Sequence, residues 1–213
     1  MKRIVLTDGG MGQELLRRSG AAPTPLWSAR VLIDEPDLVR DLHADFIDAG
    51  ARVITINTYA ATPERLEREG VGELFEELQQ RGIDLAKQAR DMTGADVRIA
   101  GCLPPLFGSY KPELTLSFDE TLEIYRRVVA AQKDQVDLIL CETMASAEEA
   151  LAAATAASEA SLPVWVSWTL QDSLDGAQLR SGETIEEAAK AIAHIKFEAR
   201  MINCSKPEVI SAG

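Results

Sequence analysis

The sequence predicts an α/β fold, a (β/α)8 TIM barrel with about six of its eight strand-helix units present in this chain. Three observations carry that reading. Short β-branched runs alternate with helical patterns at a spacing of roughly 35 to 50 residues, and parallel strands need a helix-length connection between them. Each predicted strand ends in polar or sulfur-bearing residues, on the face where barrel enzymes keep their active sites. The first strand-to-helix corner, Gly9-Gly10-Met11-Gly12, is not the Gly-x-Gly-x-x-Gly of a dinucleotide-binding sheet. The expected organisation is one domain, 1–213, a (β/α) barrel that is incomplete at its C-terminal end.

In order, Ile4-Val5-Leu6 is the first apolar run, and a helical pattern begins near Gln13. After a Pro-containing loop and Trp27, Asp34-Glu35-Pro36 marks a helix start, and Leu38, Leu42, Phe46 and Ala49 recur at helical spacing up to Gly50. The second strand is Val53 to Tyr59. Thr62-Pro63-Glu64 opens a short helix, and a longer one runs from about Glu73 to Met92. Val97 to Cys102 is the third strand, followed by a long loop from Leu103 to Tyr110 whose length suggests a lid. A helix from Phe118 to Lys133 precedes the fourth strand, Val136 to Glu142, and an Ala-rich helix runs from Ser146 to Glu159. Val164 to Leu170, a polar loop, a helix from Glu183 to Phe197, and Arg200 to Cys204 complete the pattern, with Ser205-Lys206-Pro207 opening one more helix.

The balance is acidic, 22 Lys plus Arg against 34 Asp plus Glu, with no basic stripe, which argues against nucleic acid and anionic membrane surfaces as partners. No apolar run approaches membrane length, and the three residues Ile4-Val5-Leu6 are too few for a signal peptide's apolar region; the expected location is cytoplasmic. Three widely spaced cysteines, Cys102, Cys141 and Cys204, do not suggest a disulfide framework. Side chains alternate along a strand, so if Glu142 points to the mouth of a barrel, Cys141 is a core thiol. Asp8 at the first corner suits a cation or an ammonium group, and it equally suits a tight turn with a capping acid.

Taken together, Asp8-Gly9-Gly10-Met11-Gly12, Asn57-Thr58-Tyr59 with Ala61-Thr62-Pro63, Cys141-Glu142-Thr143 and Asn203-Cys204-Ser205 resemble the homocysteine S-methyltransferase family, in order and over essentially the whole chain. The resemblance implies a zinc barrel that transfers a methyl group from a small donor to the thiolate of homocysteine, giving methionine. Zinc would deprotonate the thiol outright, so no catalytic group beyond the metal site is implied. On this resemblance Cys204 is a zinc ligand. Asp8 and Glu142 hold the substrate ammonium, backbone N–H groups near Gly9, Gly10 and Thr58 take its carboxylate, and Asn57 belongs to the same substrate-binding set.

One departure stands out. The family's Gly-Gly-Cys-Cys zinc motif does not occur in these residues, and a catalytic zinc site ordinarily takes three protein ligands. Zinc is therefore expected in the complete protein, with about 80 to 100 further residues supplying two more units, scaled from usual barrel lengths. A chain of six units alone is expected to leave two open strand edges and to be unstable or to aggregate. The alternative is a truncated, metal-free barrel protein that binds an amino acid or a partner without catalysis. A Schiff-base lyase is disfavoured because Lys111 lies in a loop and Lys206 begins a helix. S-methylmethionine, S-adenosylmethionine, betaine and methylfolate all remain open as the methyl donor, as does a homo-oligomer. His43 and His194 read as packing or surface groups. Trp168 reads as core or as a substrate wall.

Overall fold

In the computed structural model, which describes residues 4–22, 24–173 and 177–211, the predicted alternation of strands and helices is present. The chain forms two units, Met1–Cys102 with Ala131–Leu138, and Leu103–Ala130 with Ile139–Gly213.

The first unit holds α1 (Met11–Ser19), α2 (Ser28–Asp34), α3 (Pro36–Asp48), β1 (Val53–Thr55), α4 (Pro63–Arg68), α5 (Phe75–Thr93) and most of β2 (Arg98–Leu103). Strands β1 and β2 pair in parallel, Val53 opposite Arg98 and Thr55 opposite Ala100. Helix boundaries follow local chemistry. Pro36 and Asp37 start α3, Thr62 caps α4 by accepting from the Arg65 N–H, and Gly94, at φ 63°, ends α5 in a left-handed conformation that an L side chain resists. The core is built from Leu15, Leu32, Leu42, Ile54, Ile56, Leu66, Phe75, Leu78 and Ile83, all essentially inaccessible to water.

Two expectations change here. The run Ile4-Val5-Leu6 is not a full strand. It meets β1 through one bridge, Thr7 with Val53, and through the Arg52 N–H to Leu6 carbonyl bond of 2.8 Å. Ile4, Val5 and Leu6 are exposed because the described residues pair this segment on one side only. The second strand stops at Thr55, four residues short of the expected Tyr59. The Thr58 N–H turns back to the Ile56 carbonyl at 2.8 Å and takes the chain out of the extended path. Helix α2 was not predicted, since its seven residues are too short for a helical period to show.

The second unit carries most of α6 (Phe118–Gln132) and β3 (Leu138–Met144), together with α7 (Ala147–Ser158), β4 (Val164–Trp168), α8 (Ile185–Ala191), β5 (Ala199–Ile202) and the short α9 (Pro207–Ile210). Strands β3, β4 and β5 are consecutive and parallel, with Cys141 opposite Val166 and Ser167 opposite Met201. Ser146 caps α7, and Thr184 with Glu187 forms a reciprocal capping box on α8. Helix α8 is shorter than the expected Glu183 to Phe197. Trp165 and Trp168 are both buried, so Trp168 is a core residue and not a substrate wall.

Candidate functional site

The candidate residues of the first unit gather at the C-terminal ends of the opening segment and β1. Asp8 is aimed by that neighbour: its Oδ2 accepts the Thr55 N–H at 2.6 Å, and its Oδ1 lies 3.4 Å from the Thr55 hydroxyl. The acid is thus held as an extension of the strand ladder. Gly9 and Gly10 follow, Gly10 as the N-cap of α1, and a Cβ at Gly9 would come within 3.0 Å of the Phe46 ring. Gly12 is more tightly constrained, because a Cβ there would lie 2.4 to 2.8 Å from the Trp27 indole. Trp27 in turn meets Tyr59 edge to face, with centroids 5.7 Å apart, so the corner and the loop after β1 pack as one body.

Asn57 and Thr58 are buried beside them. Asn57 donates to the Ser28 carbonyl at 3.3 Å, which ties the end of β1 to the start of α2. The Thr58 N–H serves Ile56 and its carbonyl accepts from the Ala61 N–H, so its remaining polar group is the hydroxyl, buried and without a hydrogen-bond partner among the described residues. An orphaned buried hydroxyl is costly unless something satisfies it.

The second unit builds its site around Asn203 and Cys204. Cys204 is exposed and sits at φ 48°, a conformation that a side-chain-bearing residue adopts only when its surroundings hold it there. Thr143, fully buried at φ 62°, is held likewise. The Asn203 carboxamide joins the two. Its Oδ1 accepts the Thr143 N–H at 3.0 Å and the Ser167 hydroxyl at 2.9 Å, and its Nδ2 donates to the Thr143 hydroxyl at 2.8 Å and lies 3.5 Å from the Cys204 sulfur. Backbone contacts complete the clamp: Thr169 Oγ1 donates to the Cys204 carbonyl at 3.1 Å, and the Leu170 N–H donates to the Ser205 hydroxyl at 2.9 Å.

Glu142, on β3, is half-buried beside these groups in sequence, whereas Cys141 is fully buried and its thiol is pushed up by burial. Cys141 is thus a core thiol, the place expected for it if Glu142 points to the mouth. The loop after β2 brings Tyr110, at φ 65°, to Cys204. Burial and the hydrogen-bonded Cys204 side chain push the Tyr110 phenol up to about 12. Arg180, on the loop after β4, stacks over the same ring at 4.9 Å and pairs with Asp172 at 3.3 Å. Sequence reasoning marked the loop of Tyr110 by its length alone. It missed Arg180, whose isolated charge in a polar loop carries no local signal, and it gave no role to Thr143 or to the Asn203 side chain.

Among the described residues no group of three or more His, Cys, Asp or Glu side chains is placed to hold a metal ion. Among the described residues the polar side chains beside the Cys204 sulfur are those of Asn203, Thr143 and Tyr110, none of which is a usual zinc ligand. The donor set present here does not by itself fit a zinc centre.

With this geometry the comparisons are specific. The model of a family described as homocysteine S-methyltransferase matches residues 5–212. The chain belongs to the homocysteine S-methyltransferase family. Among its homocysteine S-methyltransferase relatives, the enzyme of that name from Escherichia coli strain K12 is 33% identical over 198 residues, covering 83% of this chain and 63% of its own length. A selenocysteine methyltransferase from Astragalus bisulcatus is 32% identical over 240 residues, covering 98% of this chain and 70% of its own length. The crystal structure of the metallated Escherichia coli homocysteine methyltransferase MmuM superposes with a TM-score of 0.85 at 29% identity, over 97% of this chain and 77% of that one. The fold is therefore the α/β barrel of the homocysteine S-methyltransferase family, represented in part, and its enzymatic class is methyltransferase.

Proposed function

We propose that the chain provides the amino-acid-binding portion of an enzyme that moves a methyl group from a small donor to the sulfur of homocysteine, giving methionine. The observation that carries the reading is the Asn203-Cys204 clamp, an exposed thiol fixed in a left-handed backbone at a strand end. Asp8 and Glu142 take the substrate ammonium, two carboxylates suiting one cation. The Gly9-Gly10 corner takes its carboxylate, and Asn57 and Thr58 belong to the same substrate-binding set. In this reading zinc is the metal of the complete protein, Cys204 is its one ligand from these residues, and the other ligands lie outside them. Cys102, Cys141 and Cys204 are all free thiols, which fits a reducing compartment, and the proposal places the protein in the cytoplasm.

The test is methionine formation by the complete protein from homocysteine and S-methylmethionine in the presence of zinc, followed by mass spectrometry. Cys204→Ser is expected to lower it by at least about a hundredfold. Unchanged turnover in Cys204→Ser overturns the assignment. A second reading is amino-acid binding without turnover. Homocysteine binding with no methionine formed would select it.

A further inference from the structure

Strand β3 carries one residue more than its neighbour over the stretch that holds Glu142. Cys141 lies opposite Val166 and Met144 opposite Trp168, so three steps along β3 match two along β4. This is a β-bulge, a device that takes a residue out of the ladder and re-aims side chains. Strand alternation lapses with it, since Thr143 and Met144 are both fully buried and Thr143 stands at φ 62°. The N–H of the peptide that joins Glu142 to Thr143 is taken by Asn203 Oδ1 at 3.0 Å. Asn203 follows β5, so its side chain reaches past β4 to meet β3. Ser167, the β4 residue between the two matched pairs, donates its hydroxyl to the same oxygen at 2.9 Å. At the other end of the carboxamide, Nδ2 donates to the Thr143 hydroxyl at 2.8 Å and lies 3.5 Å from the Cys204 sulfur. The backbone beneath is tied down as well. The Asn203 N–H donates to the Trp168 carbonyl and the Thr169 N–H to the Met144 carbonyl, each at 3.0 Å.

We infer that Asn203 is a positioning residue that holds the Glu142 backbone and the Cys204 sulfur in one fixed relation, its Oδ1 serving the first and its Nδ2 the second. This deepens the function proposed above and rests on it, because that reading gives Glu142 to the substrate ammonium and makes Cys204 the thiol on which the transfer depends. The two have to be in register. An amino acid held by its ammonium presents its sulfur at a set distance, and a misplacement of about 1 Å can cost about a hundredfold in rate. A carboxamide carries an acceptor and a donor on one planar group, so neither end shifts without the other. Substitution divides the two ends. Asn203→Asp keeps an acceptor for the Thr143 N–H and puts a second oxygen where Nδ2 faced the sulfur, whereas Asn203→Ala removes both.

Homocysteine titration calorimetry and methionine formation, both with the complete protein, separate the two ends. In Asn203→Asp the homocysteine affinity is expected to stay within about threefold of wild type while kcat falls by about tenfold to a hundredfold. In Asn203→Ala both are expected to fall, affinity by about tenfold and kcat by at least about a hundredfold. Thr143→Val removes the hydroxyl that holds Nδ2 and leaves the Thr143 N–H in place, so it should share the pattern of Asn203→Asp. Hydrogen exchange supplies a readout apart from activity: the Thr143 amide should stay protected in Asn203→Asp and lose protection in Asn203→Ala. A merely structural role would lower affinity and kcat together in every variant, in step with melting temperature. Affinity lost in Asn203→Asp to the same extent as in Asn203→Ala, or wild-type kcat in Asn203→Ala, overturns the inference. If circular dichroism shows that Asn203→Ala has unfolded, Asn203→Asp and Thr143→Val decide the question, and a loss of affinity in both overturns it. A wild type that does not bind homocysteine sinks the parent reading, an outcome distinct from one that binds it and shows no separation of affinity from kcat.

Discussion

Asn203 grips Thr143 at both its backbone and its side chain, accepting the Thr143 N–H at 3.0 Å and donating to the Thr143 hydroxyl at 2.8 Å. The same carboxamide reaches Ser167 on β4 and the Cys204 sulfur, so one side chain fixes two residues of positive φ. Strain of this kind persists only where neighbours over-determine it.

Asn203→Ala should therefore act on stability and on Cys204 together. It leaves the buried Thr143 N–H without a partner, at about 1 to 3 kcal/mol, and releases the Ser167 hydroxyl. We expect a loss of about 2 to 4 kcal/mol in urea unfolding. Asn203→Asp keeps the Oδ1 acceptor, so it should lose less stability while placing a negative charge beside the thiol. Equal stability losses for the two variants would show that the carboxamide is not acting as described.

Gly12→Ala probes the opening corner. The added methyl would meet the Trp27 ring at 2.4 to 2.8 Å, and Trp27 cannot retreat without breaking its contact with Tyr59. Overpacking of this kind costs about 1 to 3 kcal/mol, which for a chain of this size is a fall in melting temperature of several degrees. Gly10→Ala is the control, since no atom lies within 4 Å of its added Cβ. If the two alanine variants melt together, the close approach of Trp27 is not a constraint.

These cases also show what a sequence carries. The strand-helix order, most of the strand centres and the helix starts at Pro36, Thr62 and Ser146 were readable because capping and β-branched runs are local signals. The core position of Cys141 was readable only on the condition that Glu142 points to the mouth, because alternation tells two neighbours apart without saying which is buried. The first strand read as stronger than it is, because pairing depends on neighbours that periodicity does not reveal. Asn203 could be seen as part of a motif, but its four contacts join residues up to 60 positions apart. Arg180 and Tyr110, on two irregular loops, had no pattern to announce their meeting.

His43 makes stability depend on pH. It lies on α3 with no exposed surface, neither ring nitrogen has a hydrogen-bond partner among the described residues, and burial lowers its pKa from 6.5 to about 3. The sign follows from linkage. Below pH 6.5 the unfolded chain takes up a proton that the folded chain refuses, so the neutral histidine's contribution is fully present above pH 6.5 and is lost as pH falls toward 3. The upper limit is about 4 to 5 kcal/mol, from a gap of roughly three and a half units. His43→Leu should remove this dependence, giving a smaller stability loss between pH 6.5 and 4 than the wild type shows in parallel denaturant titrations. Identical slopes would exclude the histidine as the source.

Gln132 is placed where a strand partner would be. Its Oε1 accepts the Cys102 N–H at 2.9 Å, and its Nε2 donates to the Cys102 carbonyl at 3.1 Å and to Gln79 at 2.7 Å; Gln79 passes its own Nε2 to the Ala61 carbonyl at 2.8 Å. All four residues are fully or almost fully buried, so water is not available to replace what is removed. Gln132→Leu fills similar space yet removes the bonds that Gln132 makes to the Cys102 N–H, the Cys102 carbonyl and the Gln79 carbonyl oxygen. Each buried hydrogen bond lost costs about 1 to 3 kcal/mol, so a net loss of about 3 to 5 kcal/mol is expected after some relaxation. Gln79→Leu breaks the chain one link further out and leaves the Cys102 pair intact, so it should cost less. Hydrogen exchange gives the sharper readout. The Cys102 amide should lose its protection in Gln132→Leu and keep it in Gln79→Leu, whereas equal protection in the two variants would mean that Cys102 finds its partners elsewhere.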